Sequence, residues 1–184
     1  MSSFQDQLSK AAETLGLLPK AIPALLKNFT LLQLIEWYET NLAAPQIFDP
    51  RKHQVVFDLS RFAYLIKLNN PDGTKLAKPL QSTEAIKAGK LTEEDFSEPD
   101  RDRAERLSWL PLVIKEPLSI RKNDSNLIPA DEVYTKQFAQ SGLKFKLLYC
   151  TRMGDSLLVP VTSFRHKREP KGELLWPLKE KGLQ

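Results

Sequence analysis

The sequence has one cysteine, Cys150, among its 184 residues, and only two histidines. A single cysteine cannot form an internal disulfide, and its place in an apolar stretch predicts a small buried core residue. Two histidines and one cysteine cannot form an ordinary zinc site without carboxylates, and no two of these three residues are spaced four apart. We therefore expect neither a metal nor a cofactor.

Long hydrophobic runs and the common nucleotide motifs are also missing. No apolar stretch of about 18 residues is present, which is what a membrane-spanning helix requires. The N-terminal sequence MSSFQDQLSKAAE has no basic segment followed by an apolar one. The chain contains neither a P-loop, nor a G-x-G-x-x-G loop, nor a G-x-S-x-G elbow. These absences predict a cytoplasmic protein without a membrane partner.

The charged residues are numerous but divided unequally along the chain. Residues 1–100 hold 11 Lys and Arg against 13 Asp and Glu, a net charge of −2. Residues 101–184 hold 16 against 10, a net charge of +6. With 41% hydrophobic residues the chain can build a packed core. The surplus of cations in one half favours a polyanionic partner for that half.

The second half has the pattern of one helix followed by four strands. Apolar residues recur at helical spacing over 101–116, where Pro111 is expected to kink or divide the helix. Strands are predicted at 118–122, 131–138, 143–151 and 156–166, separated by turn residues. This order predicts an α+β fold, with a helix packed on an antiparallel sheet of four or more strands.

The first half is predicted to be mainly helical. An amphipathic helix is expected over 3–16, and Thr30 is the expected N-cap of a second helix. A strand is predicted at 53–59 and a helix from Thr83 to Gly89, followed by another short helix with Thr92 as its N-cap.

These elements suggest three regions. Residues 1–45 form a helical head, 46–100 a mixed lead-in and 101–184 the helix with its sheet. The polar segment 97–103 is where the chain would be cut if it must be cut, although 46–184 is expected to be one domain. Leu174, Leu175, Trp176 and Leu178 are expected to dock on the core as a C-terminal clasp.

The predicted strands carry many cations for half-buried elements, and five side chains are candidates for phosphate chemistry. Arg121 and Arg152 are candidates to hold a phosphate, because guanidinium groups match its oxygens bidentately. His166 is the candidate acid or base, since an imidazole titrates near neutral pH. Lys136 and Tyr149 are secondary candidates. Tyr149 and Arg152 are an odd number of residues apart, so a regular strand points them to opposite faces unless the turn at 151–155 bends Arg152 back.

The residues of this region resemble a known family of nucleases. The stretch ERLSWLPLVIKEPLSIRK, 105–122, has an aromatic-rich helix, a proline-containing turn and a strand. EVYTKQF, KFKLLYCT and LLVPVTSF follow as three strands, the last ending in a V-T-x-F element. This pattern is similar to the phage-associated branch of the Barnase–EndoU–colicin–RelE-like (BECR) nucleases. VVFDLSRFAYLIKL and EAIKAGKLTEEDF resemble a segment upstream of the sheet in one subgroup, so the resemblance covers about residues 53–167.

The resemblance implies a metal-independent endoribonuclease of the toxin or phage-effector kind. RNA supplies the nucleophile through its 2′-hydroxyl, while the protein supplies an acid, a base and cations. It also implies RNA as the substrate and a protein inhibitor or antitoxin as a partner. Where the subgroup tends to carry a His-Leu-Leu-Gly type motif, this chain has Ala63 to Lys67 without a histidine.

Two alternatives stay open at this point. The same scaffold could be a non-catalytic nucleic-acid-binding module, with the cations as its contacts. It could also be a protein–protein interaction module or phage accessory protein that docks through its N-terminal helices, with the strand cations forming an ordinary solvated face.

Overall fold

The structure, a computed structural model, describes residues 26–137 and 145–177. Within these ranges the chain forms five α-helices: α1 (Leu31–Tyr38), α2 (Leu59–Leu65), α3 (Pro79–Lys87), α4 (Arg101–Leu107) and α5 (Leu110–Lys115). Its seven strands are β1 (Ile47–Phe48), β2 (Gln54–Val55), β3 (Ser119–Lys122), β4 (Glu132–Gln137), β5 (Phe145–Arg152), β6 (Leu157–His166) and β7 (Leu174–Trp176). The helix predicted over 3–16, and Leu178 of the predicted clasp, lie outside the described residues.

The strands form one sheet in the order β1-β2-β6-β5-β4-β3-β7. The four predicted strands correspond to β3 to β6, and every pairing among them is antiparallel. β7 pairs antiparallel with β3 at one edge, and the β1–β2 hairpin joins β6 at the other through a parallel β2–β6 pairing. The α+β prediction is confirmed, and the sheet is larger than the minimum of four strands.

Pro111 divides the helix that periodicity predicts over 101–116. Asp100 caps α4, where its side chain accepts a hydrogen bond from the Arg103 amide. The chain turns at Ser108, and α5 begins beside Pro111, which occupies its first turn. A proline at this position lacks only an N–H that the helix would leave unpaired in any case, so it starts a new helix at little cost.

Local capping explains where several other elements begin and end. Thr30 caps α1 in a capping box with Gln33, as its sequence position predicts. The strand predicted over 53–59 is only Gln54–Val55, because the Asp58 side chain accepts a hydrogen bond from the Ser60 amide and so starts α2. Gly89 follows α3 with φ of +70°, a conformation that glycine adopts without strain.

Helices α2, α4 and α5 pack on one face of the sheet, and all five helices share a single large core with it. This core contains Leu34 and Tyr38 of α1 together with Ile114 of α5 and Leu148 of β5. Phe96 and Ala104, on either side of the 97–103 segment, belong to the same buried cluster. No helix among the described residues has the length and apolar character needed to cross a membrane.

The opposite face of the sheet carries a second, smaller apolar cluster. Val133, Leu147 and Tyr149 are its buried members. Ile128 and Ala130, from the segment between β3 and β4, pack against it. Successive side chains of a strand point to opposite faces, so these two clusters define which residues of β4 and β5 face the helices and which face away.

Candidate nucleic-acid interface

The five side chains predicted to act together are divided between the two faces of the sheet. His166 and Tyr149 lie on the face opposite the helices, where the Tyr149 and Phe164 rings are stacked with centroids 5.3 Å apart. Tyr149 is paired with Thr162, four residues before His166 in β6. Four residues of a strand span about 13 Å, so the two side chains are too far apart to act on one phosphate.

Arg121 lies on the same face but is engaged by the segment that follows β6. Its Nε is 3.3 Å from a carboxylate oxygen of Glu169, and its Nη1 donates to the Gly172 carbonyl oxygen at 3.0 Å. The same carboxylate oxygen of Glu169 accepts a hydrogen bond from the Ser119 hydroxyl at 2.5 Å. Arg121 therefore fastens the C-terminal segment to β3, and a phosphate would have to displace these partners.

Arg152 and Lys136 lie on the helix-facing side, at different places. The Arg152 Nε donates to a Glu132 carboxylate oxygen at 2.7 Å, so the turn after β5 does not bring Arg152 back to the face of Tyr149. The Lys136 Nζ donates to the Glu116 carbonyl oxygen at 2.6 Å, at the end of α5. The structure therefore brings none of the five into a single constellation around one phosphate.

Arg152 belongs instead to a buried network of charges that the sequence did not reveal. The side chains of Asp49 and Glu132 are almost fully buried, and Arg51 bridges them, with Nη2 2.7 Å from Asp49 and 2.6 Å from Glu132. The Tyr134 hydroxyl donates to Asp49 at 2.8 Å. Two carboxylates and two guanidinium groups balance in charge, and this pairing offsets the cost of removing them from water. The network holds the β1–β2 hairpin to β4.

Burial around this network suppresses the ionisation of its neighbours. It raises the pKa of the Tyr134 hydroxyl, with nearby Cys150 and Asp49 acting in the same direction. Burial also raises the pKa of the Cys150 thiol. Cys150 is fully buried, as predicted, and its thiol stays protonated at neutral pH. A network so fully paired is suited to holding elements together and has no free group to offer a substrate.

An exposed basic segment ends β6. Arg165, His166, Lys167 and Arg168 line an open depression of about 460 Å³. Arg165 Nη2 is 3.1 Å from Glu105 of α4, whereas Lys167 and Arg168 form no ion pair with any described residue. The His166 Nδ1 lies 2.8 Å from the Arg168 carbonyl oxygen, which fixes the bend of the segment. We name this surface, residues 165–168, the β6 basic end.

Further cations stand behind the β6 basic end, arranged around a tryptophan. The Lys146 Nζ lies 3.6 Å from the centre of the Trp109 ring and the Arg165 guanidinium carbon 4.7 Å from it. Burial, reinforced by repulsion from Arg165, lowers the pKa of Lys146 to about 8. Arg106 donates to the Ser163 carbonyl oxygen at 3.1 Å, and burial lowers the pKa of its guanidinium. Because these cations repel one another, a nearby anion lowers their electrostatic energy more than it would that of isolated cations.

Sequence reasoning singled out His166 of the β6 basic end but missed the residues that support this surface. Trp109 and Arg106 carry no motif, and only their contacts with β5 and β6 give them a role. The role of Lys146 could be recognised in part from the sequence. It lies two residues before Leu148 and four before Cys150, so it is on the same, inward-facing side of the strand as these buried residues. A lysine at such a position needs a specific neighbour, and here the Trp109 ring supplies one.

Among residues 26–137 and 145–177, no three His, Cys, Asp or Glu side chains converge as metal ligands would. Comparison of the chain with known protein families, with curated proteins and with solved structures finds no match. Any functional assignment therefore depends on the surfaces described above.

Proposed function

We propose that the protein binds single-stranded RNA through the β6 basic end. The observation that carries the proposal is the run of four exposed basic side chains, Arg165 to Arg168, around one open depression without a carboxylate in its lining. Lys167 and Arg168 have no acidic partner among the described residues, so a phosphate would not have to displace one. The resemblance to the BECR nucleases supports RNA as the ligand.

The shape of the site also favours a flexible, extended ligand. The depression is open and shallow, unlike the enclosed, mainly apolar pockets that bury small molecules. Arg165, Lys167 and Arg168 lie close together along the chain, which suits the repeated charges of a nucleic-acid backbone. Affinity for such a ligand comes chiefly from phosphate contacts and the counterions that they release.

Titration of the protein with a labelled, unstructured RNA, followed by fluorescence anisotropy, tests the proposal. We expect binding that weakens steeply between about 50 and 200 mM salt, with a log–log slope of about −0.7 for each phosphate contacted. The double variant Lys167→Gln/Arg168→Gln should bind more weakly and show a shallower slope.

The matched control removes two cations elsewhere. Lys52→Gln/Lys90→Gln has the same change in net charge, at exposed positions away from the β6 basic end. It should leave the slope close to that of the unmodified protein. An equal loss in both double variants would mean that overall charge, and not this surface, attracts the RNA. Absence of binding even at low salt would refute the proposal.

Cleavage of the bound RNA is a second candidate function, favoured by the position of His166. Its imidazole is exposed between three cations, and Nε2 makes no hydrogen bond to a described residue. In this reaction the RNA 2′-hydroxyl loses its proton to a base and attacks phosphorus. The 5′-oxygen of the next nucleotide leaves with a proton from an acid, and a 2′,3′-cyclic phosphate remains. His166 would serve as the acid or the base, with Lys167 and Arg168 stabilising the charged phosphate.

Replacing His166 with alanine separates the two functions. If His166 transfers the proton, His166→Ala should lower the cleavage rate about 100-fold or more while RNA affinity stays nearly unchanged. Cleavage should persist in EDTA, because the nucleophile is the RNA's own hydroxyl. Products are analysed by gel electrophoresis for the cyclic phosphate end. Unchanged cleavage in His166→Ala would remove this residue from the reaction.

A further inference from the structure

Two neighbouring depressions on the helical side of the molecule form a groove beside α2. The first, about 220 Å³, has an apolar lining that includes Ala63, Leu68 and Leu76. The second, about 380 Å³, extends along the start of α3. Tyr64 and Pro79 border both depressions, so the two are adjacent. We name this pair of depressions the Tyr64 groove.

The groove is lined by five cations and by no carboxylate. The cations are Arg61, Lys67, Lys75, Lys78 and Arg103. Four of these belong to residues 1–100, the half of the chain whose net charge is negative. Arg103 is 3.5 Å from Asp100, and none of the other four forms an ion pair with a described residue. Exposed cations normally gather some acidic neighbours, so this arrangement is unusual for a part of the chain with surplus acid.

An exposed aromatic ring stands among these cations. Tyr64 is 45% exposed, and the guanidinium carbon of Arg61 lies 6.0 Å from the centre of its ring. Arg61 and Tyr64, three residues apart in α2, lie on the side of the helix opposite the buried Phe62, and Lys67 lines the first depression together with Tyr64. Lys67 adopts φ of +57°, a conformation that glycine or asparagine would adopt more easily. Glycine or asparagine would adopt the backbone conformation at position 67 at a lower free-energy cost than lysine does.

From this geometry we propose that the Tyr64 groove is a nucleotide subsite in which a base of single-stranded RNA stacks on Tyr64 and its flanking phosphates contact the lysines. The inference rests on the proposed function for the class of ligand. Base–aromatic stacking with cations along the backbone is how proteins bind single strands without reading their sequence. The first depression is smaller than the roughly 300–1,000 Å³ of pockets for drug-sized ligands, and therefore suits one base.

Helix α4 connects the Tyr64 groove with the β6 basic end. Arg103 lines the groove, and Arg106, one turn further along the helix, contacts β6 at Ser163. Arg165 of the β6 basic end also forms an ion pair with Glu105 of the same helix, at 3.1 Å. A single strand could therefore contact both surfaces, with the bridging cations between them.

The test compares ring and charge variants in the same anisotropy assay. Tyr64→Ala should weaken binding of the unstructured RNA about 5-fold or more, the low end of what losing one stacked base costs. Tyr64→Phe, which keeps the ring, should bind like the unmodified protein. Lys67→Asn/Lys75→Gln should make the salt slope shallower by about 0.7 for each lost phosphate contact. Asparagine tolerates the backbone conformation at position 67, so this variant should remain folded.

A spectroscopic readout checks stacking directly. In a Tyr64→Trp variant, the added fluorescence should be quenched when RNA is bound. Lys52→Gln/Lys90→Gln is again the charge control, and urea unfolding confirms that each variant is folded.

The outcomes distinguish this inference from the proposed function. If Lys167→Gln/Arg168→Gln weakens binding while Tyr64→Ala binds normally, the groove is no base subsite although the RNA-binding proposal stands. If the lysine variant weakens binding and Tyr64→Ala does not, the groove attracts charge alone, which overturns the stacking. If the unmodified protein does not bind RNA, both proposals fail.

Discussion

At the scale of single residues, Glu132 shows how a buried acid can determine what a nearby cation is free to do. Its carboxylate accepts hydrogen bonds from Arg51 and from Arg152, one on each oxygen. The sequence shows only that an acid and an arginine occur on neighbouring strands. It does not show that a hairpin formed far upstream supplies a second arginine, because that contact requires the sheet to be assembled. From the sequence, Arg152 was expected in the turn after a strand ending at residue 151. It is instead the last residue of β5, where Glu132 holds its guanidinium group.

Glu132→Gln should lower the free energy of unfolding by roughly 3 kcal/mol, since removing one partner of a buried ion pair leaves other charges uncompensated. Urea unfolding followed by circular dichroism measures the change. The matched control is Glu173→Gln, whose side chain is 69% exposed and 3.9 Å from Lys122. Exposed pairs of this kind contribute about 0–1 kcal/mol. Equal destabilisation by the two variants would show that the buried network does not stabilise the fold.

At the scale of secondary structure, hydrophobic periodicity was sufficient to predict the elements that bury one face. β3 to β6 alternate between the helix-facing core and solvent or the smaller cluster, and their predicted bounds match to within a few residues. The helix over 101–116 was predicted together with its interruption at Pro111. These elements are specified by local patterns, so they do not depend on knowing the rest of the fold.

The edge strands were not predictable as members of this sheet. β1 and β2 have two residues each, too short for any alternation to be visible. β7, Leu174–Trp176, was expected only as an apolar clasp, because three residues give no period, and its pairing with β3 depends on the turn that precedes it. The basic side of α2 was missed for a different reason. Phe62 and Leu65 bury the other side of this helix, and its cations form no motif that the sequence alone would single out.

At the scale of the whole molecule, the net charges of the two halves of the chain give no sign of the Tyr64 groove. The first half has a negative total, yet four of its eleven cations gather in one place. A net charge records composition and carries no information about where folding places each side chain. The two proposed binding surfaces thus come from both halves of the chain, and only the fold brings them to either end of α4.

The helix-and-sheet fragment 101–184 should not fold by itself. Leu31, Leu34, Ile35 and Tyr38 of α1, together with Phe62 and Leu65 of α2, form much of the core that covers its sheet. Without them a large apolar face would meet water, at about 25 cal/mol for each Å² exposed. Circular dichroism and urea titration of the fragment should show no cooperative transition, in contrast to the full chain. A fragment that unfolds cooperatively would establish 101–184 as an independent unit.

The parallel pairing of β2 with β6 also constrains the order in which the protein can assemble. On the order of a hundred residues separate the paired strands, and closing so long a loop is slow because its entropy must be lost before the contact forms. During synthesis β2 leaves the ribosome on the order of a hundred residues before its partner β6 does. The hairpin of β1 and β2 must therefore wait, unpaired on one side, while the antiparallel strands form from neighbouring segments. Its docking, together with the burial of Asp49 and Arg51, would then have to wait for β6, so this edge of the sheet closes long after its own residues are made.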